Sequence, residues 1–242
     1  NSLRSQVTDL QSARLKPPAW DATRPPGTVA GSTDMAIYEL HVRDFSDNDP
    51  SVPAAHRGKY MAFADTHSNG MRHLRALARA GLTDVHLMPS FDSSSIPEVG
   101  CTTPQPAGAP DSTSQQATVA ATASTDCYNW GYDPFHFTSP EGSYATSVAD
   151  GATRVIEFRR MVQSLNQAGL RVGMDMVFNH TSASGQNANS VLDQVVLGYY
   201  HRLDARGGVL RDSCCDDTAT ENAMMGKLMT DSVVTWARDY HV

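Results

Sequence analysis

"GLRVGMDMVFNHT", residues 169–181, is an apolar stretch that begins at a helix-ending glycine and carries Asp175, Asn179 and His180 toward its far end. Its length and apolar composition predict a buried strand. A second stretch, "ARAGLTDVHLMP" at 78–89, also runs from a helix end through Ala-Gly-Leu into an apolar strand. Such strands, alternating with helices, are typical of a parallel sheet joined by crossover helices. The sequence therefore predicts the α/β class.

The apolar periodicity predicts three strand and helix pairs. Asp150 is the expected N-cap of the second helix, and Thr218 and Glu221 have capping-box spacing ahead of the third. An open doubly wound sheet and a (β/α)8 barrel both fit this order, and a barrel would be represented by about three of its eight units. Strands are expected at 35–42, 82–89 and 169–179, and helices at 71–78, 155–165 and 225–240.

The other segments are long and polar. Residues 1–34 contain prolines and glycines without periodicity, which predicts a linker or a strap from a preceding domain. Residues 90–128 are too long and too rich in Ser, Thr and Pro for an ordinary connection. We therefore expect a partial α/β domain at 35–242 that includes a long inserted loop at 90–150. Because the chain begins without Met and its last predicted helix runs to the final residue, we also expect a longer parent protein.

Composition excludes some classes of partner. The chain has 242 residues, of which 40% are hydrophobic, and a formal net charge of −7. A core of ordinary size is therefore expected, whereas a nucleic-acid partner is not, since no basic cluster offsets the acidic balance. No apolar run approaches the roughly 20 residues that a membrane-spanning helix needs.

The four cysteines leave two alternatives open. Cys101 and Cys127 flank the long polar segment, and Cys214 and Cys215 are adjacent. No CxxC spacing is present, so we expect no metal site from them. A disulfide between Cys101 and Cys127 would contribute about 3 kcal/mol by the loop-entropy model and would imply an oxidising compartment. The alternative is four unpaired thiols in a reducing compartment.

The polar residues at the end of the third strand predict a functional site. Ligand sites of parallel α/β folds form at the carboxyl ends of strands. Alternation places Asp175 and Asn179 on one strand face, and a buried carboxylate needs a charged or hydrogen-bonding partner. The simpler alternative is that Asp175 and His180 cap local backbone groups. A metal site that combines them with His41 or His86 has no ligand-spacing signature.

An aromatic stretch points to sugar binding. "CYNWGYDPFHF", residues 127–137, places five aromatic rings among polar residues. Such rings stack on the apolar faces of sugars, while Asn129 and Asp133 are suited to bonding hydroxyl groups. The alternative is a small satellite core beneath the long loop.

Four motifs in one consistent order resemble the pullulanases, the debranching members of the alpha-amylase family of glycoside hydrolases. They are "YELHVRDFS" at 38–46, "YNWGYDPFHF" at 128–137, "EGSYAT" at 141–146 and "DMVFNHT" at 175–181. The resemblance implies the amino-terminal part of a (β/α)8 TIM barrel with long inserted loops. It also implies hydrolysis of alpha-1,6-glucosidic bonds in pullulan, starch and glycogen, with retention, by the intact enzyme.

The resemblance also implies roles for individual residues. Asp175 and His180 would hold the glucose ring at the bond that is cut, Tyr132 would stack on that ring, and Asn129 and Trp130 would lie in the same wall. Asp133 joins them as a candidate for bonding sugar hydroxyls. The implied partner is an alpha-glucan such as pullulan, amylopectin or a limit dextrin. No cofactor is required, and calcium is implied by the resemblance only. The compartment is left open, although the cysteines favour an extracellular or periplasmic one.

The family's catalytic residues are expected outside this chain. The nucleophilic Asp and the acid Glu would lie beyond Val242, as would an Arg that pairs with Asp175. We therefore expect the chain to be inactive alone, with the remainder of its own barrel as its partner. One alternative is a non-catalytic carbohydrate-binding relative. Another is a self-sufficient dyad of Asp175 with Asp133 or Glu141, which the count of predicted elements disfavours.

Overall fold

Three parallel strands form the central sheet of this α/β chain. The computed structural model describes residues 6–27, 29–212 and 214–242. The strands of the central sheet are β1, β2 and β5, in that spatial order. Along the chain the elements are β1 (Ile37–Leu40), α1 (Asn69–Arg79), β2 (Asp84–Leu87), β3 (Phe91–Ser93), α2 (Ser114–Thr122), β4 (Pro134–Pro140), α3 (Gly151–Gln167), β5 (Arg171–Met174), β6 (His180–Thr181), α4 (Val191–Val195), β7 (Asp216–Asp217) and α5 (Ala223–Tyr240).

One face of the sheet carries the core. Val85, Leu87 and Val172 are buried there with apolar residues of α1, α3 and α5, among them Met71, Phe158 and Trp236. The strand pairing places Glu39, His86 and Gly173 side by side on the opposite face. No described helix supplies a comparable apolar cover to that face, where Ile37 remains 50% exposed.

Local signals explain where two helices begin. Ser68 accepts a hydrogen bond from the amide of Met71 at the start of α1. Asp150 accepts one from the amide of Ala152, which confirms it as the N-cap of α3. Gly81 follows the end of α1, and Gly169 follows the end of α3. Their φ angles of +110° and +90° lie in the left-handed backbone region that glycine favours.

The capping box predicted ahead of α5 is wrong. The helix begins after Asn222, which makes no side-chain capping bond. Thr218 instead donates its hydroxyl to the carbonyl of Phe178, and Glu221 forms a 2.9 Å ion pair with Arg202. Both side chains are therefore used by tertiary contacts that the local spacing does not reveal.

The described part of the 1–34 segment packs against α3 and α5. Leu15 and Trp20 are buried in the core. The guanidinium of Arg159, itself fully buried, donates to the carbonyls of Leu10, Leu15 and Asp239 at 2.8 to 3.0 Å. Residues 1–5 and 28 of this segment lie outside the described residues.

The 90–150 segment contains regular structure that its polar composition did not predict. Strands β3 and β4 pair in an antiparallel manner, and α2 lies between them in the chain. Cys101 and Cys127 form a disulfide, with their Cα atoms 4.9 Å apart, across the stretch that holds α2. Among the described residues, no helix is long and apolar enough to cross a membrane.

Candidate functional site

Three predicted residues meet at the carboxyl end of the sheet. Asp175 directly follows β5, His180 begins β6, and Tyr132 precedes β4. The Tyr132 hydroxyl donates to Asp175 Oδ2 at 2.8 Å, and the His180 ring donates through Nε2 to the Tyr132 carbonyl at 2.8 Å. Two segments that are more than 40 residues apart in sequence thus form one site.

The expectation that Asp175 lies inside a buried strand is wrong. Strand β5 ends at Met174, and although the Asp175 amide still donates to the Leu87 carbonyl at 2.9 Å, the Asp175 side chain is exposed. The carboxylate therefore faces the open end of the sheet, where Tyr132 is its hydrogen-bond donor.

Gly131 fixes the position of Tyr132. Its φ is +87°, and a Cβ at this residue would lie 2.5 Å from the carbonyl oxygen of Pro89. The amide of Gly131 donates to Asn129 Oδ1 at 2.6 Å, which closes a tight turn immediately before Tyr132. Only glycine fits this turn without displacing its neighbours.

The hydroxyl of Tyr132 is held in its protonated form. The pKa of Tyr132 is raised to about 12. Burial is the largest cause, the hydrogen bond to Asp175 is the second, and the negative charge of Asp175 is the third. At neutral pH the hydroxyl is therefore a hydrogen-bond donor, and the Tyr132 ring remains 37% exposed.

Asn129 and Asp133 brace the loop. The amide nitrogen of Asn129 donates to Ser95 Oγ at 2.6 Å, and Ser95 in turn donates to a carboxylate oxygen of Asp133. Both predicted residues thus lie next to Tyr132, but their side chains make hydrogen bonds within the 90–150 segment.

The aromatic stretch divides into two parts. Trp130 is 60% exposed and makes an edge contact with Tyr128, whereas Phe135 and Phe137 are buried. Phe137 packs with Phe178 in a second apolar cluster. The segment therefore supplies both an exposed aromatic surface beside Tyr132 and a satellite core.

His41 supports the loop that carries Asn129 and Tyr132. It donates through Nε2 to the Asn129 carbonyl at 2.8 Å and accepts from the Asp44 amide at 3.3 Å. Burial is the main reason that the pKa of His41 is lowered from its usual value. The sequence predicted no role for His41 other than a metal ligand, and it did not predict Ser95 as part of the site. The available signal for His41 was its position just after the first strand, whereas nothing local marks Ser95.

The metal set suggested by the strand ends does not assemble. His41 is engaged with Asn129, and the His86 ring packs over Gly173, within 2.6 Å of where a Cβ would stand. Among the described residues, two groups of three place potential donor atoms within 4.8 Å of one another. They are His180 with Cys214 and Cys215, and Asp92 with Glu98 and Glu141.

Several known proteins with similar sequences and structures are named pullulanases. No family model matches the chain. Pullulanase of Klebsiella pneumoniae is 41% identical over an alignment 286 positions long, which covers all of this chain and 26% of that protein. Pullulanase 1, chloroplastic, of Arabidopsis thaliana is 42% identical over 245 residues, covering 98% of this chain and 25% of that protein.

A solved structure agrees. The maltotriose complex of the pullulanase PulA from Klebsiella pneumoniae matches with a TM-score of 0.89 at 37% identity, over 100% of this chain and 30% of that one. The chain spans about a quarter of the length of the curated relatives named above. Over its whole length the chain is thus similar, in sequence and in structure, to one part of these pullulanases.

Proposed function

We propose that the chain forms the first three βα units of a (β/α)8 barrel. The order β1-β2-β5 follows the chain without reversal, and α1, α3 and α5 share one apolar core on the same side of the sheet. A doubly wound sheet would reverse its strand order and place helices on both faces. A barrel instead has its helices outside and a packed inner face.

The uncovered sheet face supports this proposal. Among the described residues, β1 and β5 each pair with β2 alone, so each has an open edge. A cleft of about 740 Å³ lies beside β2 and β5, and its lining includes His86, Val172 and Gly173 together with residues of 21–25 and the end of α5. We propose that further strands of the same barrel close these edges and fill this cleft.

We also propose that residues 1–34 act as a strap for a catalytic domain at 35–242. Leu15 and Trp20 are buried in the core, which is not expected of a flexible linker. The three carbonyl contacts of Arg159 join this segment to α3 and α5, which favours a strap that is part of the folded unit.

The chemistry that we propose for the intact protein is hydrolysis of alpha-1,6-glucosidic bonds in alpha-glucans. The observation that carries the proposal is the contact of Tyr132 with Asp175 and His180 at the carboxyl end of the sheet. The exposed ring of Tyr132 can stack on a sugar, and the exposed carboxylate of Asp175 can accept hydrogen bonds from its hydroxyl groups. Trp130 extends the aromatic wall, while Asn129 and Asp133 hold the loop in place.

The reacting carboxyl groups are proposed to lie outside this chain. Retaining hydrolysis needs two carboxyl groups about 5 to 5.5 Å apart. Asp175 is held by Tyr132, Asp133 is held by Ser95, and Glu141 is buried with both oxygens accepting backbone amides. These assignments favour a substrate-holding role for the chain and give no support to a dyad within it.

Maltotriose titration calorimetry tests the sugar-holding role. We expect Asp175→Ala to weaken binding by about tenfold or more, as for the loss of a hydrogen bond to a charged group. Tyr132→Ala should weaken it similarly through the loss of stacking. Tyr38→Ala is the matched control, because Tyr38 is 38% exposed but lies in β1. Equal affinities for all four proteins would exclude a sugar site here.

Reducing-sugar release from pullulan tests the catalytic assignment. The intact protein should release sugar, and the 242 residues by themselves should not. Release by the isolated chain would mean that a complete carboxyl pair lies within it. Maltotriose binding without hydrolysis by the intact protein would favour a non-catalytic carbohydrate-binding relative.

A further inference from the structure

Two adjacent cysteines lie beside the buried imidazole of His180. Strand β7 pairs with β6 so that Asp217 is opposite His180, which brings the preceding Cys214 and Cys215 to the same place. The two sulfurs form a disulfide, and Cys214 is exposed while Cys215 is half-buried. The sulfurs and a ring nitrogen of His180 lie within 4.8 Å of one another.

One nitrogen of His180 is available as a ligand. Nε2 lies 2.8 Å from the carbonyl of Tyr132, and a carbonyl only accepts, so Nε2 carries the proton of the neutral ring. Nδ1 therefore holds the lone pair, and it is buried without a hydrogen-bond partner in the part of the chain that the structure describes. Histidines that bind metals commonly donate their other N–H to a carbonyl in this way.

We propose that reduction of the Cys214–Cys215 disulfide creates a site for a thiophilic divalent ion such as Zn²⁺ or Cd²⁺. The ligands would be the two thiolates and His180 Nδ1. Thiolate and imidazole ligands suit these ions, and three protein ligands leave a fourth position for water. In the oxidised state the sulfurs are bonded to each other and offer no thiolate, so the site is gated by redox state.

The chemistry balances with a phosphine reductant. The phosphine attacks one sulfur, the S–S bond breaks, and water supplies the oxygen of the phosphine oxide and the two protons of the thiols. Binding of the ion then releases both thiol protons. The two thiolate charges cancel the charge of the ion, which lowers the cost of holding it next to the buried ring of His180. No sugar is needed for this step.

Cadmium titration of the folded protein tests the proposal. Samples are treated with phosphine or left oxidised, checked by circular dichroism, and titrated with Cd²⁺ while the ultraviolet charge-transfer band of the cadmium–thiolate bond is followed. We expect this site to bind one Cd²⁺ ion tightly in each reduced chain and none in the oxidised chain. A folded, reduced protein without the band would overturn the proposal, and this comparison needs no mutation.

Two double variants separate the cysteine pairs. Cys101→Ser/Cys127→Ser should retain the band after reduction, whereas Cys214→Ser/Cys215→Ser should lose it. Retention by the second variant would assign the ion to Cys101 and Cys127 and overturn the site.

The role of His180 has its own test. His180→Gln in the reduced protein should weaken Cd²⁺ binding by about tenfold or more, since even changes around a ligand cost that much. An unchanged affinity for Cd²⁺ would show that the His180 imidazole is not a ligand of the ion.

Discussion

The hydroxyl of Tyr132 lies 2.8 Å from Oδ2 of Asp175 and joins the loop before β4 to the end of β5. His180 donates to the backbone carbonyl of the same tyrosine, so Tyr132 is held at both its side chain and its main chain. The Tyr132 side chain is thereby held in place at the carboxyl end of the sheet, where it remains partly exposed.

A double-mutant cycle measures this contact. Tyr132→Phe and Asp175→Ala each remove the hydrogen bond, and we expect a coupling free energy of about 0.5 to 1 kcal/mol, at the low end for hydrogen bonds because both side chains are partly exposed. Urea unfolding of the four proteins gives the value. Free energies of unfolding that add to within about 0.3 kcal/mol would mean that the contact contributes nothing.

The sheet and its helices could be predicted because their signals are local. The two Ala-Gly-Leu stretches end helices and begin β2 and β5, and the positive φ values of Gly81 and Gly169 are the physical basis of that pattern. Asp150 was recognisable as an N-cap because its capping bond spans only two residues. Such features depend on the chain within one turn of a helix.

The environment of the site could not be predicted in the same way. Alternation placed Asp175 inside a buried strand, but β5 ends one residue earlier because its only described neighbour, β2, ends at Leu87. The hydrogen-bond partner of Asp175 is 43 residues away in sequence. Glu221 pairs with Arg202 instead of forming the predicted capping bond. Hydrophobic periodicity carries no information about pairs that form through tertiary contacts.

Gly131→Ala should displace Tyr132. The substitution places a Cβ 2.5 Å from the Pro89 carbonyl at a residue with φ of +87°, so we expect a loss of about 1 to 3 kcal/mol in the free energy of unfolding and weaker maltotriose binding. Gly207→Ala is the control, because φ there is +81° and a Cβ would meet nothing within 4 Å. Equal losses for the two variants would mean that backbone conformation alone sets the cost.

Arg159→Met should strongly destabilise the chain. The variant removes the donors to the carbonyls of Leu10, Leu15 and Asp239 and leaves them buried, so we expect a loss of about 3 to 5 kcal/mol in the free energy of unfolding. Arg160→Met, on the exposed side of α3, should change it by less than about 0.5 kcal/mol. Chemical unfolding of the two variants makes the comparison, and similar losses would show that the three carbonyl contacts of Arg159 do not stabilise the fold.

The environment of Glu141 makes stability depend on pH. Its side chain is buried, and its two oxygens accept the amides of Ser93 and Ser143 at 2.8 and 2.7 Å. Burial is the main cause that raises the pKa of Glu141 from its ordinary 4.5 to about 7, and the negative charge of Asp92 is the second.

Between pH 4.5 and 7 the folded chain therefore holds a proton on Glu141 that the unfolded chain has lost. The contribution of Glu141 to stability is complete below pH 4.5 and disappears as the pH rises through 7, because the unfolded state binds fewer protons in that window. A carbon-13 NMR titration of the Glu141 carboxyl, assigned with Glu141→Gln, should give a midpoint near 7, and Asp92→Asn should lower that midpoint by removing the neighbouring charge. A midpoint near 4.5 in the unmutated protein would show that the two backbone amides stabilise the carboxylate enough to offset its burial.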